Sequence, residues 1–142
     1  MMGEYRHTLD AKNRVLLPAY LREELGDEFI ITRGLDGCLN LYSPAEWERF
    51  SRKFRELPQS MPNVRACIRF FFGGAKLLEC DRQGRFLIPA GLCEYAELTK
   101  DVMLVGVENH AEIWNRQKWQ AYNGEITPLA DEIAKTLREW GV

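Results

Sequence analysis

The sequence predicts an α+β protein made of two tandem units, each a β-hairpin followed by a short helix, two strands and a second helix. The units are expected to interlock into one pseudo-twofold domain. Three observations carry this. A nine-residue string occurs twice, as Asp10-Ala11-Lys12-Asn13-Arg14-Val15-Leu16-Leu17-Pro18 and as Asp81-Arg82-Gln83-Gly84-Arg85-Phe86-Leu87-Ile88-Pro89. Both read D-x-x-[N/G]-R, three apolar residues, then Pro, and they stand 81 − 10 = 71 positions apart in a chain of 142. The correspondence runs on beyond the string: Leu21 and Glu23 match Leu92 and Glu94 at the same offset, while Leu41-Tyr42 and Trp47 match Ile113-Trp114 and Trp119 at an offset of 72. Finally, a unit of about 60 residues buries little core alone, so the halves need each other.

Each element has a local reason. Tyr5 to Leu9 reads as a strand leading into Asp10, and Arg14 to Leu17 as a second strand ended by Pro18, which has no N–H for a ladder. Between them Asp10 suits the first position of a type I turn, where its carboxylate accepts local N–H groups. Asn13 falls where a left-handed residue is needed, and Gly84 fills that place in the second copy. Ala19 to Leu25 is a short helix stopped by Gly26. Glu28 to Arg33 and Cys38 to Tyr42 are strands around the Gly34-Leu35-Asp36-Gly37 turn. Ser43, with Pro44 and Glu46, opens a helix to Leu57 through a capping box. Trp47, Phe50, Phe54 and Leu57 line one face of it.

Pro58 to Pro62 breaks the chain at its midpoint. Asn63 to Phe72 is a helix, and of the consecutive Phe70, Phe71 and Phe72 at least one is expected to be buried against another helix or subunit. Ala75 to Cys80 leads into the second string. The order then recurs: helix Ala90 to Ala96, strand Val102 to Val107, turn Glu108-Asn109-His110, strand Ala111 to Trp114, helix Arg116 to Tyr122. A helix from Leu129 to Trp140, with Leu129, Ile133, Leu137 and Trp140 as its apolar stripe, has no counterpart in the first half. It is expected to pack on its own domain or on a neighbouring subunit. The expected division is 1–60 for the first repeat, 61–126 for the second and 127–142 for the terminal helix.

Composition narrows the function. The apolar share of 46% is that of a soluble globular chain. Net charge is −2, so nucleic-acid binding requires cations gathered locally or multiplied by oligomerisation. The N-terminus is polar, and no apolar run nears the roughly 18 residues of a membrane span, so a cytoplasmic protein without membrane contact is expected. Cys38, Cys67, Cys80 and Cys93 lack C-x-x-C spacing, and no metal or cofactor site is expected. His7 and His110 have no catalytic partner in sequence, and there is no nucleophile elbow or phosphate loop. The chain does not read as an enzyme.

At the paired D-x-x-x-R turns the sequence resembles the MraZ family of bacterial transcriptional regulators associated with the division and cell-wall gene cluster. The resemblance covers essentially the whole chain, including Asn63 to Ala75 with its Gly-Gly-Ala ending and Glu108-Asn109-His110-Ala111-Glu112-Ile113-Trp114. Asn13 departs from the glycine usual there. The resemblance implies an AbrB-like swapped-hairpin β-barrel with peripheral helices and a ring-shaped homo-oligomer, an octamer or dodecamer. It also implies binding to closely spaced direct repeats in double-stranded promoter DNA. The implied function is that of a repressor upstream of its own gene cluster, nucleoid-associated in the cytoplasm.

The residues themselves suggest how such a turn meets DNA. Asp10 and Asp81, with Asn13 and Gly84, shape the turns and orient Arg14 and Arg85. The arginines can grip a phosphate, or a guanine edge with two N–H groups. Lys12 and Arg82 flank the tips, Gln83 reaches toward a base edge, and Arg6 and His7 add to the first copy's surface. An isolated Asp–Arg pair would ordinarily be a surface ion pair worth about 0–1 kcal/mol; the repetition and its flanks favour function. Arg65 and Arg69 suit either phosphate or acids at a subunit contact. The competing reading is an antitoxin-like or partner-binding assembly protein that does not recognise a promoter.

Overall fold

A computed structural model describes residues 1–142. The first half runs β1 (Met2–Thr8), β2 (Arg14–Leu16), α1 (Ala19–Leu25), β3 (Glu28–Arg33), β4 (Leu39–Tyr42) and α2 (Pro44–Arg55). Then come α3 (Pro62–Gly73), β5 (Lys76–Glu79), β6 (Arg85–Leu87), α4 (Ala90–Tyr95), β7 (Asp101–Val107), β8 (His110–Asn115), α5 (Arg116–Ile126) and α6 (Ala130–Glu139).

Six strands form one antiparallel sheet in the order β1-β7-β8-β4-β3-β5, and β2 pairs with β6 in a separate two-stranded ribbon. The order reads the same from either end once β1 is exchanged with β5, β3 with β7 and β4 with β8. The first strand of each half therefore lies on the third strand of the other. Tyr5 stands opposite Leu104, and Phe29 opposite Leu78. At the centre β4 meets β8, with Leu39 opposite Ile113.

Two expectations change here. The hairpins are turns without ladders: β1 and β2 pair with other strands and not with each other. Asp10 N–H donates to the Arg14 carbonyl at 3.0 Å, and there the pairing ends. β2 is three residues long, and the next amide, that of Leu17, donates to Gly84 of the other half at 2.8 Å. Nor do the strands close into one barrel, because β1 and β5 remain as two edges of the six-stranded sheet.

The sheet buries both faces. On one side Val15, Leu17, Phe86 and Ile88 from the ribbon segments, with Leu21 of α1 and Leu92 of α4, pack on Phe29, Ile31, Leu41 and Leu104. Fully burying each such side chain stabilises the fold by about 1.5–3 kcal/mol. Alternation along the strands sends Tyr42 and Trp114 to the opposite face, where they meet α2 and α5. The two contacts match: Tyr42 lies 5.7 Å from Trp47 and 5.2 Å from Phe50, and Trp114 lies 5.3 Å from Trp119 and 5.1 Å from Tyr122.

Helix ends follow the sequence with one change. Ser43 Oγ accepts the Glu46 N–H at 3.2 Å, but the Glu46 carboxylate turns to Arg49 at 2.6 Å. The capping box is thus half made. Phe71 is the buried member of the phenylalanine run, packed between Phe50 and Phe54, while Phe70 faces Tyr95 and Phe72 faces Trp47. Arg65 neither pairs with an acid nor stands free. It donates to the carbonyls of Gln59 and Ser60 at 3.1 Å, tying down the proline-rich midpoint whose carbonyls have no ladder.

The terminal helix differs most. α5 continues to Ile126, a 3₁₀ turn at Thr127–Leu129 carries Pro128, and α6 follows. α6 thus succeeds α5 as α3 succeeds α2, a counterpart after all. Yet where α3 buries Phe71, the α6 stripe stays open: Leu129, Ile133 and Leu137 are about half exposed, and Trp140 is 82% exposed. The helix does not pack on its own domain. No helix of the chain is long and apolar enough to cross a membrane.

Candidate nucleic-acid interface

The two repeated turns are built alike. In the first, the Asp10 carboxylate accepts the backbone N–H groups of Lys12 and Arg14 on Oδ1 at 2.9 Å each. Asn13 N–H donates to the Asp10 carbonyl at 3.0 Å, and Asn13 takes φ 60°. In the second, Asp81 Oδ1 accepts from Gln83 N–H at 2.9 Å and Arg85 N–H at 3.0 Å, while Gly84 N–H donates to the Asp81 carbonyl at 3.0 Å with φ 80°. A side chain that fixes amides two and four residues on is the reason for Asp in each string.

The same carboxylates aim the arginines. Arg14 Nε donates to Asp10 Oδ2 at 2.7 Å. Arg85 is held more loosely: its Nε lies 3.4 Å from Asp81 Oδ2 and has no hydrogen bond, its Nη1 lies 3.8 Å from Asp10, and its Nη2 donates to Gln83 Oε1. The backbone N–H of Arg14 does most to hold the Asp10 carboxyl below its ordinary pKa, and that of Arg85 does the same for Asp81. Both remain ionised at neutral pH and keep their arginines oriented.

The halves bring the two turns side by side. Val15 stands opposite Phe86 across the ribbon, and these are equivalent residues 71 positions apart, so the pseudo-twofold passes between them. Two equivalent bonds flank this pair: Leu17 N–H to the Gly84 carbonyl at 2.8 Å and Ile88 N–H to the Asn13 carbonyl at 2.9 Å. Each turn is thus bonded to the strand leaving the other. Val15 and Phe86 point inward at 1% exposure, and Arg14 and Arg85 sit on the solvent side with a third of each side chain exposed.

Among the residues singled out from sequence, Asp10, Lys12, Asn13 and Arg14 meet Asp81, Arg82, Gln83, Gly84 and Arg85 at this one place. Lys12 and Arg82 are exposed. Gln83 is engaged with Arg85. Arg6 lies apart: it stands opposite Met103 in the β1–β7 ladder and lines a cleft with Trp119 and Gln120 of α5. His7, opposite Val102, is half-buried, and burial lowers its pKa. His110 stacks on Tyr42 at 5.2 Å and contacts Asn109 at 2.7 Å and Glu112 at 3.3 Å, an arrangement that packs a turn.

Sequence reasoning missed one cation. Arg22 of α1 reaches the opposite turn, its Nη1 3.6 Å from where a Cβ at Gly84 would stand. Its position four residues after Pro18 was the available signal, since that spacing carries it one helical turn back toward the ribbon. Lys12, Arg14, Arg22, Arg82 and Arg85 thus gather around the two turns with Asp10 and Asp81, a locally basic surface on a chain of net charge −2. No group of three or more His, Cys, Asp or Glu side chains is placed to hold a metal ion.

Comparison with known proteins agrees with the duplicated architecture. The family model described as "MraZ protein, putative antitoxin-like" matches twice, over residues 1–70 and 71–138. A protein of Acetivibrio thermocellus named transcriptional regulator MraZ is 48% identical over 140 residues, covering 99% of this chain and 98% of the relative. The proteins of the same name from Clostridium acetobutylicum and Heliobacterium modesticaldum are 45% and 48% identical, over 99% and 96% of this chain and 99% and 95% of theirs. Two family matches end to end, and relatives alike over nearly their full length, establish that the chain belongs to the MraZ family.

Proposed function

We propose that the chain is a sequence-specific DNA-binding transcriptional regulator whose recognition element is the β2–β6 ribbon with its two turns. The observation that carries this is the mutual bonding of the turns, Leu17 to Gly84 and Ile88 to Asn13, which puts Arg14 and Arg85 on one solvent face. A two-stranded ribbon fits the major groove, and a preformed tip loses little entropy on binding. Arg14, with both terminal nitrogens free of protein partners, has the fork for a guanine edge or a phosphate. Lys12, Arg82 and Arg22 supply phosphate contacts, and Gln83 positions Arg85. Arg6 is a peripheral contact in this reading.

The unit of action is the oligomer. One ribbon offers few cations, whereas a ring of eight or twelve copies presents many on one rim. Linked contacts to closely spaced direct repeats then raise avidity by orders of magnitude. The chain divides in this reading into repeats 1–60 and 61–126, interlocked about the pseudo-twofold, and the segment 127–142. It acts in the cytoplasm on nucleoid DNA upstream of its own division and cell-wall cluster, as a repressor. The relatives' name supports regulation of transcription. The unpaired stripe of α6 favours a second reading, an antitoxin-like module that binds a protein.

Titration of a promoter duplex with the Arg14→Ala/Arg85→Ala variant tests the assignment. Loss of one base-edge contact costs about 1–3 kcal/mol, and loss of a phosphate contact lowers the salt slope by about one. A folded double variant that binds as tightly as the parent refutes the site. The absence of any salt-dependent binding to duplex DNA favours the protein-binding reading.

A further inference from the structure

Four side chains stand on the outer face of the ribbon. Arg14 is opposite Leu87, and Leu16 is opposite Arg85. The arginines have a role in the reading above, but the leucines do not. Leu16 is 43% exposed and Leu87 52%, although the residues between them and their arginines are buried almost completely. They occupy the same place in the two halves, 71 residues apart. Single exposed leucines are ordinary on a protein surface. A symmetric pair interleaved with two arginines, at the centre of the basic surface around the two turns, is a patterned feature. Core packing does not account for it, since both side chains point away from the core that holds Val15 and Phe86.

A leucine has no hydrogen bond to offer a base. In the major groove the one apolar group on a base edge is the 5-methyl of thymine. We infer that Leu16 and Leu87 are specificity-determining residues that read thymine methyl groups beside the contacts made by Arg85 and Arg14. This rests on the proposal that the ribbon enters DNA. Directly opposed residues on one face of an antiparallel pair have Cβ atoms about 4.5–5.5 Å apart, and successive bases rise about 3.4 Å along a strand. Each leucine therefore meets a base within one or two steps of the one its arginine partner contacts. Leu16 also lies over the opposite turn, its Cδ1 3.4 Å from where a Cβ at Gly84 would stand. By covering the groove edge, the leucines also exclude water from the neighbouring arginine contact.

Replacing thymine by deoxyuridine removes the methyl and leaves every hydrogen-bonding edge intact. The full-length protein and the Leu16→Ala/Leu87→Ala variant are each titrated with the duplex upstream of the gene, once with thymine and once with deoxyuridine throughout. Burial of one methyl is worth roughly a fourfold change in affinity. The parent is expected to bind the deoxyuridine duplex about fourfold more weakly per contact, and the variant to bind both duplexes equally. A Leu16→Met/Leu87→Met variant keeps an apolar tip and is expected to keep the discrimination, which separates methyl reading from a damaged ribbon. A parent that binds both duplexes equally, or an alanine variant that still prefers thymine, overturns the inference while leaving the DNA-binding proposal standing. A parent that does not bind the duplex at all overturns both.

Discussion

Gly84→Ala tests the turn geometry most directly. Gly84 has φ 80°, in the left-handed region. The added Cβ would lie 3.4 Å from Leu16 Cδ1 and 3.6 Å from Arg22 Nη1, ordinary contacts, so sterics within the fold cost nothing further. The penalty is that of the backbone alone. A non-glycine residue in the left-handed well costs roughly 1–2 kcal/mol. The shrinking of the unfolded ensemble on removing a glycine is independent of the native φ and returns about 0.4–1 kcal/mol. The net loss is therefore about 1 kcal/mol, or about 3–5 °C in Tm for a chain of this length. Gly84→Asn is the control, because Asn13 adopts φ 60° at the equivalent place; it is expected to lose less than half as much. The assay is urea unfolding followed by tryptophan fluorescence at one fixed protein concentration, since self-association shifts apparent stability. An alanine variant as stable as the parent, or an asparagine variant less stable than the alanine one, refutes the reasoning.

Two further outcomes follow from the same structure. The Asp10 and Asp81 carboxyls titrate below their ordinary value of 3.8 in the fold. Their contribution is complete above that value and is lost as pH falls from it through the lower folded pKa, because the unfolded chain takes up the protons first. Asp10→Asn/Asp81→Asn is expected to flatten the fall in stability below about pH 4, and an unchanged acid limb counts against the turn role. Leu21→Ala, at 0% exposure, is expected to cost about 2–5 kcal/mol, and Leu137→Ala, at 49%, within about 0.5 kcal/mol in chemical denaturation. A Leu137 cost above 1 kcal/mol would mean that another molecule covers α6.

Local features were legible in the sequence. Asp10, Asn13 and Gly84 announced two turns because their chemistry is satisfied within four residues. Ser43 and Pro44 announced the start of α2 for the same reason. The matched aromatics Tyr42–Trp47 and Trp114–Trp119 could be paired from spacing, since the strand–helix joint that unites them is short. Strand partners were not legible. β1 alternates no differently whether it lies on β2 or on β7, and β7 begins 93 positions after β1 ends. The approach of Arg85 Nη1 to within 3.8 Å of Asp10 arises only where two halves touch, as does the reach of Arg22 to the second turn. The contrast between α3 and α6 was hidden for another reason. Both carry apolar stripes, and a stripe specifies a face to be covered without saying what covers it.

The exchange of first strands between halves has a consequence in time. β1 contains residues 2–8, yet its ladder partner β7 ends at residue 107. During synthesis at about 5–20 residues per second, the N-terminal strand waits roughly 5–20 s before its partner exists. The closing of the sheet is then governed by contacts of long sequence separation, which form slowly. For that interval the nascent chain carries unpaired backbone on β1, and a neighbouring nascent copy offers the same strand to the same absent partner. The duplicated chain thus has its most vulnerable moment before its second half has left the ribosome.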